Sequence, residues 1–464
     1  MNPTTGVLVN DVHSRLNTTR VDRVVQPRSL DELCRTVRGA EAVSVCGGRH
    51  AMGGQQFGAG TTLIDLSGHA RLHALEPAKG LVKADAGLRW PDLVAGLHAL
   101  QRGQPRAWSI RQKQTGADEL SLGGTLSANA HGRGLRLPPV VADVEEFTLV
   151  DARGEARVCS RGENAELFRL VIGGYGAFGI IADVTLRLAP RRKLTRRVEI
   201  VQAEELIDAF DRRIAAGYEY GDFQFNIDER SPDFLRRGVF SCYRPVEDDQ
   251  PMPADQPHLG AEDWRRLLLL AHTDRRRAFD EYRRYYLSTD GQLYWSDTHQ
   301  LTTYLDGYHA EIDRHMGQPC PGSETITELY VPRTRLAEFL KRVAETLRAR
   351  RAAVIYGTVR LIERDTETFL AWAREPFVCV IFNLHVDHTP AALGDAADAF
   401  RALIDLAVDL GGSFYLTYHR WATREQVEAC YPQFPEWLSL QRQHDSESLW
   451  QSNWLRHMRG LFGA

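Results

Sequence analysis

The apolar residues of the first 190 positions fall into short runs that alternate with helical segments and glycine-rich turns. Runs of this length, rich in β-branched residues, predict strands. They lie at residues 42–45, 62–66, 81–86, 146–150 and 184–188. Ser29 and Glu32 form a capping box ahead of an apolar-periodic stretch, so we predict a helix from there to about Arg38.

Between about residues 194 and 410 the pattern changes to longer strands and amphipathic helices. Residues 335–348 repeat apolar side chains at helical spacing, which predicts a helix. Phe382 and Leu384 alternate with other side chains as in a strand whose one face lies in a core. The final stretch, residues 411–464, is rich in polar and aromatic residues and predicts a strand with two or three short helices.

The length of the chain favours more than one hydrophobic core. At 464 residues, two domains are the natural expectation. Residues 190–193 lie where the pattern changes and mark the boundary. We therefore predict an α+β protein with a first domain over residues 1–192, a second domain built on an antiparallel sheet over residues 193–410, and a C-terminal segment over residues 411–464 that packs back on the first domain.

Composition and charge limit the classes of partner. Hydrophobic residues make up 43% of the chain and charged residues 25%, which is typical of a globular protein. The net charge is −4, and the basic residues form no stripe beyond short runs such as residues 275–277. Binding to nucleic acid or to an anionic membrane is therefore not expected. The expected partner is a small molecule.

The seven cysteines are far apart, odd in number and form no C-x-x-C pair. This pattern predicts reduced thiols and favours neither a disulfide framework nor a metal site. Residues 1–20 hold no apolar run of the kind that a signal peptide needs, and no stretch reaches the roughly 18 apolar residues of a membrane helix. We expect a cytoplasmic protein without a metal and without a membrane anchor.

Three glycine clusters lie in the predicted first domain, at residues 47–54, 116–134 and 173–181. Glycine lets the backbone N–H groups of a loop approach a phosphate closely. Each cluster alone is equally compatible with tight turns, but three in one domain indicate a dinucleotide. Neither a Rossmann fingerprint nor a P-loop motif occurs, so those two folds are disfavoured.

Taken in order, these motifs resemble the FAD-binding domain of the vanillyl-alcohol oxidase (PCMH-type) family. The stretches that carry the resemblance are residues 25–29, 47–54, 63–66, 84–87, 123–132 and 173–181. The resemblance covers essentially the whole predicted first domain. It implies a two-domain α+β fold, with a PCMH-type FAD-binding domain followed by an antiparallel-sheet substrate (cap) domain.

In that family the first glycine loop binds the FAD pyrophosphate, and many members bond a loop histidine to the 8α-methyl group of the flavin. His50 occupies that position, which implies an 8α-histidyl FAD; a loop histidine that forms no such bond is the alternative. No cysteine lies between Cys46 and Cys159, so a single covalent link is predicted. Thr125 and Ser127 resemble positions near the flavin, whereas Asn129 and His131 are alternatively residues that hold the loop and do not contact the cofactor. The cofactor-binding residues implied by the resemblance are Gly47, Gly48, Arg49, His50, Ala51, Met52, Gly116, Gly123, Gly124, Thr125, Ser127, His131, Gly132, Gly179 and Ile181.

The later part of the chain resembles, more loosely, the alditol oxidases, the aldonolactone oxidases and the decaprenylphosphoryl-ribose oxidoreductases. Residues 356–360, 380–385 and 415–420 are similar to the strands that present catalytic side chains in those enzymes, and residues 431–454 are similar to their C-terminal ending. The catalytic candidates on these stretches are Arg360, Asn383, His385, Tyr418 and His419. Further pocket candidates are Glu328, Tyr308 and His309.

Removing a hydride from a carbon requires a base for the alcohol proton and donors that orient the hydroxyl groups. Arg360 is a permanent donor for a substrate oxygen or for the charge that reduction places at flavin N1 and C2=O. His385, Tyr418 or His419 is the candidate base. The similar enzymes carry a lysine near the place of Tyr418, which weakens any transfer of their sugar specificity; a tyrosine there is a donor, or a base if Arg420 lowers its pKa.

These features together predict an FAD-dependent enzyme that oxidises a CH–OH carbon by hydride transfer to flavin N5. O2 is the expected acceptor, with H2O2 as product, and the protein is expected to be a monomer or homodimer. A dehydrogenase with another acceptor and an oxidase that tailors a secondary metabolite are the alternatives within the enzymes. A flavin-binding protein without turnover would keep the glycine loops but lack the later base and donors.

Overall fold

The structure is a computed structural model that describes residues 6–247, 249–303, 305 and 307–463. The strands among the described residues are, in chain order, β1 Val7–Val9, β2 Thr19–Val21, β3 Arg23–Val25, β4 Val43–Cys46, β5 Thr62–Asp65, β6 Leu72–Glu76, β7 Leu81–Asp85, β8 Trp108–Ser109, β9 Val144–Val150, β10 Ala156–Ser160, β11 Ile180–Arg187, β12 Ala189–Pro190, β13 Lys193–Gln202, β14 Tyr220–Phe225, β15 Arg237–Pro245, β16 Leu293–Trp295, β17 Gly322–Pro332, β18 Ala353–Ile362, β19 Phe377–Asp387 and β20 Ser413–Phe414. The α-helices are α1 Leu30–Arg38, α2 Trp90–Leu100, α3 Leu122–Ala128, α4 Ala165–Val171, α5 Leu206–Ala215, α6 Ala261–Thr273, α7 Arg275–Ser288, α8 Tyr308–Met316, α9 Leu336–Ala349, α10 Pro390–Asp409, α11 Arg424–Cys430, α12 Phe434–His444 and α13 Asn453–Phe462.

The described residues up to 190 build two larger sheets and two two-stranded ones, β1 with β2 and β8 with β12. Strands β3, β5 and β4 form a small parallel sheet, and strands β10, β9, β11, β7 and β6 form an antiparallel sheet in that order. The predicted strands and the predicted helix are confirmed. Ser29 caps α1 by accepting from the N–H of Glu32, and the Glu32 side chain accepts from the N–H of Arg28. The Ser29 hydroxyl satisfies one N–H group that the first turn of a helix leaves unpaired. The Glu32 carboxylate accepts from the residue before the cap, so the predicted capping box forms only in part.

From Lys193 onward the chain builds one antiparallel sheet of eight strands, in the order β16, β13, β15, β14, β18, β19, β17, β20. Residues that pair directly across neighbouring strands point to the same face. Val359 lies opposite Phe223, and Arg360 lies opposite Cys379. Helices α9 and α10 pack on the face that carries Val359. The alternate positions, including Arg360, form a second, more polar face.

The stretch 415–420 was predicted as a strand, and this prediction is wrong. Strand β20 ends at Phe414, and turns and bends follow. The chain leaves the sheet because its carbonyl groups find other donors: the Gln55 side-chain amide donates to the carbonyl oxygens of Leu416 at 2.9 Å and of Thr417 at 3.1 Å. The turn carries Tyr418 away from the strand geometry that the sequence suggested.

The segment that links α12 to α13, together with α13, contacts the small parallel sheet and the third glycine cluster. The N–H of Val43 donates to Leu449, and the N–H of Gln451 donates back to Val43. The Tyr175 and Trp454 rings pack with centroids 4.9 Å apart. Buried side chains from the sheets and from these helices belong to one continuous core. The division into domains at residues 192 and 410 stays a prediction.

Two global expectations are tested by the described residues. All seven cysteines are free thiols, which confirms the expectation that no disulfide forms among them. No helix among the described residues has the length and apolar character that crossing a membrane requires.

Candidate functional site

A cavity of about 500 Å³ lies between the glycine loops and the more polar face of the eight-stranded sheet. This volume is in the range of small-molecule and cofactor sites. Nearly all the residues that the sequence implied for the cofactor line it: Gly47, Gly48, Arg49, His50, Ala51, Met52, Gly116, Gly123, Gly124, Thr125, Ser127, Gly179 and Ile181. Three catalytic candidates, Arg360, Asn383 and Tyr418, line the opposite side, as do Tyr308 and His309.

The first glycine loop is held by close packing against the segment that leads into α3. A Cβ atom on Gly48 would lie 2.1 Å from the carbonyl oxygen of Glu119, and one on Gly47 would lie 2.0 Å from Ser121 Oγ. The two glycines therefore allow an approach between protein segments that a side chain would block. The backbone N–H groups of Gly48, Arg49 and Ala51 donate to no other described residue, so the loop offers unused donors to the cavity.

His50 lies in this loop and is buried, with 8% of its surface exposed. Its ring meets the His13 ring edge-on, with centroids 4.9 Å apart. Burial, with smaller contributions from His13 and Arg89, lowers the pKa of His50 to about 3. The imidazole is therefore neutral at physiological pH and faces the cavity with nucleophilic character.

The second glycine stretch contributes a loop and the short helix α3. Gly116 has φ of +90°, and no atom lies within 4 Å of the place where a Cβ would stand. The buried Thr115 Oγ1 and Gln114 Oε1 have no hydrogen-bond partner among the described residues. Thr125, on α3, accepts a hydrogen bond of 2.9 Å from the Trp90 indole and lines the cavity. Unsatisfied polar atoms beside a cavity indicate a polar ligand.

Arg360 projects from β18 into the cavity and is only 4% exposed. Its single hydrogen bond among the described residues is a long one, 3.4 Å from Nη2 to the Thr115 carbonyl oxygen. Its Nε and Nη1 atoms are buried and have no partner there. A buried cation with unused donors is costly unless a ligand supplies acceptors. The cavity is thus built to hold a group with acceptor oxygen or nitrogen atoms or with negative charge.

Tyr418 and Glu328 form a hydrogen-bonded pair beside Arg360. The Tyr418 hydroxyl donates to Glu328 Oε2 at 3.0 Å. Glu328, from β17, is 1% exposed and also binds the His131 imidazole, with Nε2 2.6 Å from its Oε1. A fully buried carboxylate is stable only with such partners.

The protonation states of the pair follow from their surroundings. Burial acts to raise the pKa of Glu328, but the neighbouring His131 imidazole and Arg360 guanidinium outweigh it and hold the pKa below its ordinary value. Burial and the Glu328 charge raise the pKa of Tyr418 well above its ordinary value. At neutral pH Tyr418 is therefore a neutral phenol that donates its hydrogen bond to the Glu328 carboxylate. The phenol oxygen can still accept a hydrogen bond from a donor in the cavity.

The idea that Arg420 lowers the pKa of Tyr418 is therefore wrong. The Arg420 side chain is directed toward α13, where Nη1 donates to the Asn453 carbonyl oxygen at 3.3 Å. The partner that the sequence did not reveal is Glu328, because it lies 90 residues earlier on a different strand.

Two cofactor candidates, His131 and Gly132, do not line the cavity. The His131 ring is held between the Gly132 carbonyl oxygen at 2.9 Å and Glu328, so it supports the carboxylate from behind. Gly132 packs against the backbone of Lys113, whose carbonyl oxygen would lie 2.9 Å from an added Cβ. Asn129 holds its loop, as one alternative expected, by donating to Asp365 at 2.9 Å.

Two candidate bases also lie away from the cavity. The His419 ring stacks on Trp421 with centroids 4.2 Å apart, and burial lowers its pKa to about 4. Tyr418 lines the cavity, whereas His419 lies between Trp421 and Phe400. His385 lies beyond Asn383 toward the end of β19, where its Nε2 is 3.3 Å from Asp387 Oδ1.

The outer wall of the cavity comes from elements that the sequence analysis did not assign. Helices α6 and α7 cover this side with mainly apolar and aromatic groups. The residues involved are Trp264, Leu267, Leu268, Ala271, Ala278, Phe279, Tyr282 and Tyr286. The helical spacing of these residues along α7 was the sequence signal that could have identified this wall. The basic residues 275–277, in the first turn of α7, were considered only for their charge.

Strand β14 adds a polar group to the same wall. Asp222 and Gln224 alternate with Phe223 and Phe225, a period of two that marks a strand with one polar face. The Gln224 amide donates to Asp222 Oδ2 at 3.3 Å, which leaves Gln224 Oε1 buried and without a partner among the described residues. This wall of the cavity therefore offers acceptors.

Comparison with known proteins identifies the glycine-rich region. Residues 21–160 match the family model for an FAD binding domain. The protein named uncharacterized oxidoreductase ORF5 in fasciation locus, from Rhodococcoides fascians, is 30% identical over 181 residues, which are 38% of this chain and 40% of that protein. Cytokinin dehydrogenase 10 of Oryza sativa subsp. japonica is 34% identical over 208 residues, 41% of this chain and 36% of that protein. Cytokinin dehydrogenase 5 of Arabidopsis thaliana is 27% identical over 246 residues, 48% of this chain and 43% of that protein.

The chain spans about two fifths of the length of these relatives. The match confirms an FAD-binding domain of the PCMH type over residues 21–160, and with it the prediction of FAD as the cofactor. The similarity to the alditol oxidases and to the other enzymes of that group stays a prediction.

Proposed function

We propose that this protein, whose residues 21–160 form an FAD-binding domain, is an FAD-dependent oxidoreductase that oxidises a CH–OH carbon of a largely apolar substrate. The observation that carries the proposal is the meeting of three groups in one cavity. The glycine loop supplies unused N–H donors, and Arg360 supplies a buried cation with unused donors. Tyr418 lines the cavity and supplies an acceptor for a proton, and Glu328, which does not line the cavity, is hydrogen-bonded to it from behind.

The residues present fit FAD. The loop around Gly48 and Arg49 has the open donors that a pyrophosphate requires, and Gly116 leaves space beside it. Arg360 is suited to the electron-rich edge of the flavin ring or to a substrate oxygen. When bound, FAD supplies the two-electron chemistry: it accepts a hydride from the substrate carbon and passes both electrons to an acceptor, giving H2O2 when that acceptor is O2.

The chain itself handles the proton. A substrate hydroxyl donates its hydrogen bond to the Tyr418 oxygen, and the Tyr418 proton is shared with Glu328. As the C–H bond gives up its hydride, the O–H proton moves to Tyr418, and the Tyr418 proton moves to the carboxylate. The alcohol becomes a carbonyl, and the proton is held on Glu328. His131, at 2.6 Å, fixes the carboxylate in place.

The cation at the site favours an alcohol over an ammonium substrate. Arg360 is buried, so its repulsion of a second cation is poorly screened. A neutral alcohol that develops alkoxide character is stabilised by the same charge. Several relatives are named cytokinin dehydrogenases, and dehydrogenation of a neutral nitrogen compound is the second candidate. Asp222 and Gln224 favour it, since both line the cavity and would accept hydrogen bonds from N–H groups of such a compound.

The walls favour a compact apolar or aromatic substrate. Trp264, Leu267, Phe279 and Tyr286 cover the side opposite Arg360, and such groups give little to the many hydroxyl groups of a polyol. A secondary metabolite with one oxidisable hydroxyl group and one further hydrogen-bond donor fits this lining.

A single covalent link would join His50 to FAD. A neutral, buried imidazole that faces the cavity has the nucleophilic nitrogen that such a bond needs. Among the described residues, Cys46 is the one cysteine that lines the cavity, and it lies at the end of β4. Burial raises the pKa of its thiol to about 12, so it lacks the thiolate that a second covalent link would need.

The experiment that tests the proposal mixes the FAD-loaded protein anaerobically with matched pairs of aromatic alcohols and amines. We expect an alcohol to bleach the flavin absorption while its amine counterpart does so more slowly. Admitting O2 then distinguishes the acceptors: rapid recovery with H2O2 indicates an oxidase, whereas recovery only with a quinone or dye indicates a dehydrogenase. Bleaching by amines alone would refute the CH–OH proposal, and no bleaching by either class across the panel would favour a binding protein.

A further inference from the structure

A second cluster of polar groups lies at the edge of the cavity, where α6 packs on the eight-stranded sheet. His272 near the end of α6, Glu324 on β17 and His385 on β19 each bring one ligand atom within 4.8 Å of the others. The side chains of His272 and Glu324 are 2% and 5% exposed, and that of His385 is 16% exposed. Three titratable groups buried together need a compensating interaction.

The hydrogen bonds of His272 fix its tautomer. Its Nδ1 lies 2.8 Å from the Leu268 carbonyl oxygen, which can only accept, so Nδ1 carries hydrogen. In the neutral ring Nε2 then bears a lone pair, and it lies 3.0 Å from Glu324 Oε1. Two acceptors at this distance repel each other unless a cation or a proton lies between them.

The hydrogen bonding of His385 favours a metal ion over a proton between these groups. Its Nε2 lies beside the Asp387 carboxylate at 3.3 Å, which places hydrogen on that nitrogen. Its Nδ1 is buried and has no hydrogen-bond partner in the part of the chain that the structure describes. A proton on His272 would satisfy the contact with Glu324 but would leave this second lone pair without a partner. The His131–Glu328 contact, by contrast, involves no second imidazole, and one shared proton satisfies it.

We propose that His272, Glu324 and His385 bind a divalent transition-metal cation, with Zn²⁺ as the best match. Imidazole nitrogen and carboxylate oxygen are its usual ligands together with thiolate, and this set contains no sulfur. Bonds of about 2.0–2.2 Å in tetrahedral geometry separate ligand atoms by about 3.3–3.6 Å. The 3.0 Å between His272 and Glu324 is already near that value.

The surroundings have the features of a metal site. Each proposed ligand histidine donates a hydrogen bond from its other ring nitrogen: His272 to the Leu268 carbonyl oxygen and His385 to the Asp387 carboxylate. Such hydrogen bonds orient metal-binding imidazoles. The second oxygen of Glu324 lies 3.1 Å from His309 Nδ1. Gly322 leaves room for the His385 ring, because an added Cβ would lie 2.6 Å from its Cε1. The two ligand rings meet at 84° with centroids 5.1 Å apart.

The ion would join α6 to two strands of the sheet. Helix α6 carries Trp264, Leu267 and Leu268 on the cavity wall. A cation bound by the last turn of the helix and by β17 and β19 therefore sets the position of this wall and the width of the cavity. Three protein ligands leave a fourth position for water. This role is independent of the reaction that the cavity performs.

The full-length, flavin-loaded protein is purified without a metal-affinity step and treated with a chelator, and Zn²⁺ is then titrated by calorimetry. We expect one equivalent per chain, and at least a hundredfold weaker binding in His272→Asn and His385→Asn. His388→Asn removes a neighbouring imidazole that bonds Ser323 and no proposed ligand, so it should bind Zn²⁺ as the wild type does. Flavin absorption of each variant shows whether it is folded.

Zinc X-ray absorption of the wild-type protein gives an answer that does not depend on the variants. Outer-shell scattering from two imidazoles, with no sulfur in the first shell, is the expected result. Sulfur scattering would place the ion at the other cluster, His131, Glu328 and Cys379, and would overturn the proposal. The absence of stoichiometric Zn²⁺ binding would also overturn it and would leave the cluster as a proton-held network.

Discussion

The Tyr418 hydroxyl donates to the Glu328 carboxylate at 3.0 Å, and this bond joins the turn after β20 to the middle of β17. The donated proton leaves the phenol oxygen as an acceptor that faces the cavity. Tyr418→Phe removes this acceptor, so we expect turnover to fall by about 10²–10⁴. Glu328→Gln should cost a similar factor, and the double variant should cost little more, because the two groups act as one unit. Rapid-mixing measurement of flavin reduction checks all three.

The control for this series is His419→Phe. His419 is the neighbour of Tyr418 in sequence but stacks on Trp421 away from the cavity. We expect this variant to reduce its flavin at the wild-type rate. A loss as large as that of Tyr418→Phe, or fully additive losses in the Tyr418 and Glu328 variants, would show that the pair does not act as described.

Arg360→Met should change activity and stability in opposite directions. The wild-type guanidinium is buried with two nitrogen atoms unsatisfied, so its removal should raise the free energy of unfolding of the flavin-free protein by about 1–3 kcal/mol. Loss of the donor should lower the rate of flavin reduction by about 10²–10³. Arg360→Lys keeps the charge, so its free energy of unfolding and its rate of flavin reduction should lie between those of the wild type and those of Arg360→Met. Urea unfolding and rapid mixing check the pair of effects; destabilisation by Arg360→Met would contradict the assignment.

Gly48→Ala should disturb the cofactor loop. The added Cβ would meet the Glu119 carbonyl oxygen at 2.1 Å, a backbone atom that has little room to move. We expect a loss of about 1–3 kcal/mol of unfolding free energy together with a lower flavin content after purification. Gly162→Ala is the matched control, since no atom lies within 4 Å of its Cβ position. Equal flavin content in the two variants would count against the tight packing of the loop.

Buried histidines make the protein sensitive to acid. The pKa of His419 is lowered from 6.5 to about 4 by burial, so the unfolded chain gains a proton near pH 6.5 while the folded protein does not. This contribution to stability is complete above pH 6.5 and is lost as the pH falls toward 4, about 3 kcal/mol in all. Unfolding of His419→Phe should show a correspondingly smaller loss across this range. An unchanged pH profile would refute the assignment.

Local patterns in the sequence were enough to locate the cofactor loops. Gly47 and Gly48 mark places where another segment approaches the backbone closely, and Gly116 marks a backbone position with positive φ. The Ser29 N-cap fixes the start of α1. Such features depend on neighbours in the chain, so one sequence reveals them.

The rest of the site depends on contacts between distant segments. Glu328 meets Tyr418 only because β17 lies beside β20, and no local pattern specifies that neighbour. His385 shares the cavity face of β19 with Asn383, but two strand residues span about 7 Å, which carries it past the end of the cavity. Residues 415–420 have the residue pattern of a strand. They form a turn in which the Gln55 side-chain amide donates to backbone carbonyl oxygens, and that distant partner is not visible in the local sequence.

The measurement that tests the central claim most directly is the visible absorption of the purified protein before and after acid precipitation. We predict a yellow protein whose flavin stays with the pellet, and a tryptic peptide of residues 50–71 that carries the flavin mass on His50 and not on His69. Flavin released into the supernatant would remove the covalent link but keep the FAD site. A colourless protein that takes up no FAD on reconstitution would contradict the account as a whole.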